Sequence, residues 1–414
     1  MKNVWILNHY AKAPTSTGGS RHFQFARYLK DQGWRAVLIA SSAEHISGKQ
    51  KLEKNESFRH ELISGVDFHW LRTPAYQGNG FQRMVNMLAY TIQAVRPSAT
   101  KDLPPPDVII GSSVHPFAAL AAWWLARRHR VPFVFEVRDL WPQTLIDMGR
   151  LKDNGVAAKL MRSLEGFLYK RASKIITLLP FASSYLARFA VPDDKVVWMS
   201  NGVALDEYPE LKRCPEDAKD RPFELMYYGS HGAANGLDTL INAMAVAKEL
   251  LSNRDERVQL RLIGDGLEKD ALITQARQMG IESRVSFEPP VPKSKIPEIS
   301  AAADAFVITV RNLPELYKYG ISMNKIFDYM ASGRPVIIAS NAPNNPIADA
   351  NAGITVAAED AEALGRAIVE VTTMTPERRA ELGANGRAHV AKEYDYRVLA
   401  KRLACSLNEL VGST

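Results

Sequence analysis

Short β-rich runs alternate with helix-length amphipathic segments along almost the whole chain, and the alternation restarts once near its middle. That pattern restricts the fold to parallel sheets flanked by helices on both faces, built twice. In the first half, residues 4–8, 36–39, 66–71, 107–111, 133–137, 174–178 and 196–199 read as strands. Residues 20–31, 81–95, 117–128, 157–172 and 181–189 read as the helices between them. Nearly continuous apolar runs such as Asp107-Val108-Ile109-Ile110 suit strands that are covered on both faces.

The register resets across residues 204–222, a stretch rich in charge and proline that reads as a connection between domains. A new first strand follows at 223–228. The loop Gly229-Ser230-His231-Gly232-Ala233-Ala234-Asn235-Gly236 and a helix at 237–250 come next. Strands at 258–263, 285–287 and 305–309 alternate with helices at 267–279 and 295–303, and residues 376–410 read as mostly helical. The expected division is a first domain over 1–200, a second over 201–390 and a terminal helix over 391–414. In such sheets ligands bind beyond the carboxyl ends of the strands, so two facing domains make a cleft.

Composition narrows the function. The chain has 414 residues and only two cysteines, Cys214 and Cys405, far apart and without partners at metal-ligand spacing. A disulfide framework or zinc site is not expected, and a reducing cytoplasm fits. No run reaches the roughly 18 apolar residues that read as a membrane span. Residues 1–8 read as a buried strand rather than a signal-peptide core. The net charge of +7 favours anionic partners. Zinc-finger spacing, an RNA-binding aromatic signature and a basic tail are all missing from the sequence, so nucleic acid is not an expected partner.

The densest motif is Tyr319-Gly320-Ile321-Ser322-Met323-Asn324-Lys325-Ile326-Phe327-Asp328, followed by a Gly333-Arg334-Pro335 turn and a buried strand. Ser322 is placed to cap a helix. Lys325 and Asp328 share one helical face. Free amides, a positive dipole end and a lysine suit a diphosphate, and the carboxylate suits a ribose diol. An ordinary surface helix with a solvated ion pair is the plain alternative. Gly18-Gly19-Ser20-Arg21-His22 follows the first strand and can hold a sugar or diphosphate, or simply turn the chain. Arg138 and Asp139 end another strand; they can pair with each other or contact substrate hydroxyls. His115 lies at a third strand end, Asn201-Gly202-Val203 lies where a hinge would fall, and Gly264-Asp265-Gly266 forms a turn that can approach a nucleoside. Residues 80–90 combine a cation with apolar side chains and can touch lipid or pack on their own sheet. No Asp-x-Asp triplet occurs, which points to diphosphate neutralisation by cations and amides rather than metal.

Taken together, these motifs resemble the retaining glycosyltransferases of the GT-B fold, glycosyltransferase family 4, and within them the O-antigen or capsule transferases of the WbuB (L-fucosamine transferase) type. The resemblance runs over nearly the whole chain. It implies an α/β fold of two doubly wound Rossmann-like domains facing a central cleft, with the last helix crossing back to the first domain. It further implies a nucleotide-sugar donor, probed by Gly229, His231, Asn235, Gly264, Asp265, Gly320, Ile321, Ser322, Asn324, Lys325 and Asp328. Gly18, Gly19, Ser20, Arg21 and His115 would meet a lipid-linked saccharide acceptor, and Asp139, Arg138 and Lys325 would be catalytic. No cofactor or metal is implied. The expected location is the cytoplasm, peripheral on the inner face of the cytoplasmic membrane.

The chain departs from that family twice. The usual pair of acids eight positions apart falls on Gly320 and Asp328, so the first acid is absent. The usual Arg and Lys of the first loop of the second domain fall on Ser230 or His231 and Asn235, so Lys325 is expected to take over the diphosphate. A sugar-nucleotide 2-epimerase of the same fold, or a sugar-nucleotide-binding partner without turnover, are the competing readings.

Overall fold

The computed structural model describes residues 1–13, 20–44, 48–76, 78, 80–113, 115–147, 149, 151–209, 221–252 and 257–412. The first domain is built on β1 (Lys2–Leu7), β2 (Trp34–Ser41), β3 (Phe58–Ile63), β4 (Val66–Leu71), β5 (Val108–Ser112), β6 (Phe133–Val137), β7 (Lys174–Thr177) and β8 (Val196–Trp198). Their order is β3-β4-β2-β1-β5-β6-β7-β8. Every neighbouring pair is parallel except β3 with β4. The second domain uses β9 (Phe223–Tyr228), β10 (Val258–Ile263), β11 (Val285–Glu288), β12 (Ala305–Thr309), β13 (Val336–Ala339) and β14 (Gly353–Val356), all parallel, ordered β11-β10-β9-β12-β13-β14. In each sheet the order reverses beside the first strand, β1 against β5 and β9 against β12. Those reversals are the switch points where doubly wound sheets open a crevice.

Two strands have no counterpart in the sequence reading. β3, Phe-Arg-His-Glu-Leu-Ile, is a largely exposed antiparallel edge strand, so it lacks the apolar run of a covered strand. β14 is four residues long and starts with Gly353. The helix expected over 181–189 is a single turn, Ser183–Leu186, followed by a 3-10 turn.

The end of the chain joins the two domains. Helix Pro376–Glu393 packs on helix Asn324–Ala331 of the second domain. Helix Tyr396–Gly412 then packs on helix Arg21–Leu29 of the first. Its buried residues Tyr396, Leu399, Ala400, Leu403, Ala404 and Leu407 repeat at helical spacing and fill the core under β1 and β2. The crossing is tight. Val203 donates its N–H to the Tyr394 carbonyl and accepts from the Tyr396 N–H, each at 3.0 Å. A Cβ on Gly202 would lie 2.3 Å from the Tyr394 carbonyl oxygen, which leaves room only for glycine.

Candidate active site

The carboxyl ends of β9 and β10, the segment after β11 and the start of the helix at Asn324 wall a cleft of about 1300 Å³, open mouth included. Gly229, Gly264, Asp265, Lys293, Asn324, Lys325 and Asp328 line it, and Lys12 reaches it from the first domain. Gly264 is required by close approach: a Cβ there would lie 1.9 Å from the Gly229 carbonyl oxygen. The two strand-end loops therefore touch backbone to backbone and floor the cleft.

Lys325 stands in the first turn of helix Asn324–Ala331. That helix starts after Met323 with no side-chain cap. Ser322 is not the expected cap: its hydroxyl accepts from the Asn201 N–H at 2.8 Å and so ties the loop to the first domain. The Lys325 ammonium donates to Tyr227 Oη at 2.8 Å and to Asn235 Oδ1 at 2.7 Å, two neutral oxygens. Burial pushes its pKa down to about 7. His231 lies fully buried beside it, and neither ring nitrogen has a hydrogen-bond partner among the described residues. Burial lowers the His231 pKa to about 4, so the ring is neutral and supplies no charge at pH 7.

Asp328, one turn on, is buried and already partnered. Lys293 Nζ lies 2.5 Å from Oδ1, and Tyr208 Oη donates to the same oxygen at 3.0 Å. Spacing within one helix could not reveal Lys293 or Tyr208, which arrive from other segments. The signal available for Lys293 is its place just beyond β11, at the carboxyl end of a strand. Lys12 likewise follows β1.

A second crevice, about 980 Å³, lies between the domains, walled on one side by residues 319–323. Arg138, Asp139, Gln143, Thr144, Gly320, Ile321 and Ser322 line it. Asp139 reaches solvent there, and the surrounding walls raise its carboxyl pKa against the pull of Arg138. Gly320 has φ +100°, and a Cβ would lie 2.6 Å from Pro180 Cδ and 2.7 Å from Asn344 Oδ1. The backbone conformation and the close neighbours at this position leave no room for a side chain. The Gly320 and Ile321 amides are also occupied, by the Tyr317 carbonyl and Asn344 Oδ1.

Three first-domain expectations change. Arg21 is 2% exposed; its guanidinium holds Glu136 at 2.8 Å and the Ser200 and Met199 carbonyls. It positions the end of β6 and the segment that follows β8, and its guanidinium is taken up by those contacts. Glu136 also holds His22 at 2.6 Å, and His22 is held in turn by Asn8. Burial alone would raise the Glu136 carboxyl, but His22 and Arg21 hold it well below the usual range. His115 is buried, caps helix Pro116–His129 through Nδ1 and meets His9 Nδ1 through Nε2 at 2.8 Å. Ser20 lines a different pocket, beside Gln24, Glu207 and Lys293. Gly18 and Gly19 lie outside the described residues.

Among the described residues no helix is long and apolar enough to cross a membrane.

Residues 17–202 match the family model "Glycosyl transferase 4-like domain", and residues 222–373 match "Glycosyl transferases group 1". The chain is 23% identical over 287 residues to the "Probable glycosyltransferase WbjE" of Pseudomonas aeruginosa, covering 66% of this chain and 67% of that protein. Among solved structures, sucrose-phosphate synthase from Thermosynechococcus elongatus superposes with TM-score 0.73 at 17% identity over 100% of both chains. HepE of Anabaena, solved with UDP-glucose, superposes with TM-score 0.68 at 16% identity over 99% of this chain and 100% of that one. Two parallel α/β domains in tandem, each matching its own half of one enzyme architecture, place the chain in the glycosyltransferase family with the GT-B fold.

Proposed function

We propose that the protein moves a sugar from a nucleoside-diphosphate donor to a lipid-linked saccharide acceptor, with retention at the anomeric carbon, in the synthesis of a bacterial surface polysaccharide. The second domain holds the donor and the first holds the acceptor. The observation that carries this reading is Lys325: a half-buried cation bonded to two neutral oxygens, at an uncapped helix start, facing a cleft. A diphosphate there would gain the lysine, the helix amides and the dipole together. The Lys325 ammonium meets the Asn235 side chain, the position onto which the family resemblance places a lysine. The UDP-glucose complex of the similarly folded HepE supports the donor class.

In this reading the donor sugar, a UDP-linked N-acetylated hexosamine or deoxyhexosamine, extends into the second crevice. Asp139 orients its hydroxyls or those of the acceptor, and Arg138 adds positive charge. The acceptor hydroxyl attacks the anomeric carbon on the face the diphosphate leaves. The departing phosphate oxygen takes the acceptor proton, and the new glycosidic bond replaces the one broken. Lys325, with Lys12 and Lys293 nearby, supplies the charge that stabilises the leaving group.

The test is UDP release by the purified chain from UDP-N-acetylhexosamines, with and without a polyprenyl-diphosphate-linked saccharide. Acceptor-dependent release is expected, with Lys325→Ala lowering kcat/KM by about 100-fold in protein that remains folded by circular dichroism. Acceptor-independent conversion of the donor to an epimer, or nucleotide binding without turnover on any acceptor, would contradict the proposal.

A further inference from the structure

Helix Phe81–Val95 turns an apolar stripe to solvent. Phe81, Met84, Val85, Leu88 and Ile92 fall at helical spacing on one side, and all five are exposed, Phe81 at 82% and Ile92 at 54%. Its opposite side is buried: Tyr90 and Ala94 lie in the first domain's core, and Met87 is covered beside them. Scattered surface apolar residues need no explanation, but a continuous stripe along a helix that already has a buried face does.

The neighbouring surface says what would cover it. Helix Pro116–His129 packs alongside and exposes Trp124. Its last turn carries Arg127 and Arg128, with Arg130 just beyond, all exposed. Arg127 lies over Trp123 and Arg128 over Trp124. Arg96 and Lys101 extend the positive surface beyond the first helix. The sequence has no Asp or Glu between Asp67 and Asp102, nor between Asp107 and Glu136, so nothing in these two helices offsets those cations. Exposed apolar side chains, an amphipathic tryptophan and unopposed arginines together match the interfacial region of an anionic bilayer.

We infer that the outer face of helices Phe81–Val95 and Pro116–His129 docks on an anionic lipid surface; the inference rests on the lipid-linked acceptor proposed above. The orientation suits that role. Both helices start at the carboxyl ends of strands, where the cleft opens. Arg83, in the first turn of the stripe helix, donates to Tyr10 Oη at 3.0 Å. Tyr10 is two residues from Lys12, which lines the donor cleft. The stripe therefore leads from the lipid surface toward the cleft along about 16 Å of helix. An acceptor held in the bilayer would reach the site without leaving it.

Vesicle co-sedimentation of the full chain tests this. Strong binding is expected to vesicles of phosphatidylglycerol and phosphatidylcholine, weak binding to phosphatidylcholine alone, and weakening as salt rises. Leu88→Asp with Ile92→Asp, and separately Arg127→Glu with Arg128→Glu, should each lower anionic-vesicle binding about tenfold or more. All four sites are exposed, so melting temperature and transfer to a soluble acceptor analogue should hold. Failure of the wild-type chain to bind anionic vesicles, or variants that bind as well as wild type, would overturn the inference. So would a dimer in solution that the aspartate pair dissociates, because the stripe would then cover a second copy. Vesicle binding by a chain that transfers no sugar would instead count against the transferase reading and leave this one standing.

Discussion

Lys325 is half-buried and pairs with no carboxylate among the described residues, and that single placement has a pH signature. Its pKa near 7, against 10.5 for a free lysine, means the folded chain binds fewer protons than the unfolded one between those values. The unliganded protein should therefore gain stability as pH rises from about 7 toward 10.5. A bound diphosphate favours the charged form and reverses the preference. UDP affinity should fall as pH rises above about 7, with proton uptake on binding near pH 8. Calorimetry in buffers of different ionisation enthalpy measures both, and both should vanish in Lys325→Met. Gly320 makes the second residue-scale test. Restoring an acid by Gly320→Glu should fail, costing about 2 kcal/mol or more in urea unfolding, because the backbone is left-handed and Pro180 and Asn344 fill the space. That Lys325 and Asp328 face one cleft from one helix was legible because three-residue spacing on a helix is a local property. Arg21 and His115 were misread because sequence shows that a polar residue ends a strand or opens a helix, but not which way its side chain turns.

Among the elements, the alternation of strands and helices was legible wherever a strand is covered on both faces. β9, β10 and β12 fall where their apolar runs predict. β3 and β14 did not show, because both are edge strands that need no apolar run: β3 is largely exposed, and β14 starts with Gly353 and has no fully buried residue. Helix Tyr396–Gly412 illustrates what an apolar period can and cannot say. It announces a buried face, while the partner, helix Arg21–Leu29, lies at the far end of the chain. A consequence follows for stability. Leu403→Ala should destabilise the first domain by about 3 kcal/mol, although the residue lies after the second domain in sequence. Exchange of amide hydrogens, read domain by domain, should show the loss in β1 and β2 and spare β9 and β12.

In the whole molecule, the site is divided between the domains. Lys12 comes from the first, Lys293 and Lys325 from the second, and the wall at 320–323 faces Arg138 and Asp139 across the second crevice. Asn201 and Ser322 already tie the two halves together, and the chain crosses twice at Val203 and Tyr394. No local motif could reveal such a juxtaposition, since it depends on how two sheets face each other. If both domains act on the donor, Lys12→Ala should raise the Kd for UDP about tenfold, and an unchanged Kd would confine donor binding to the second domain. The most direct measurement is a crystal structure of the chain with UDP. The diphosphate should lie within hydrogen-bonding distance of Lys325 Nζ, above the start of helix Asn324–Ala331. A nucleotide seated elsewhere, or a Lys325 ammonium still bonded only to Tyr227 and Asn235 with the diphosphate out of reach, would contradict the account.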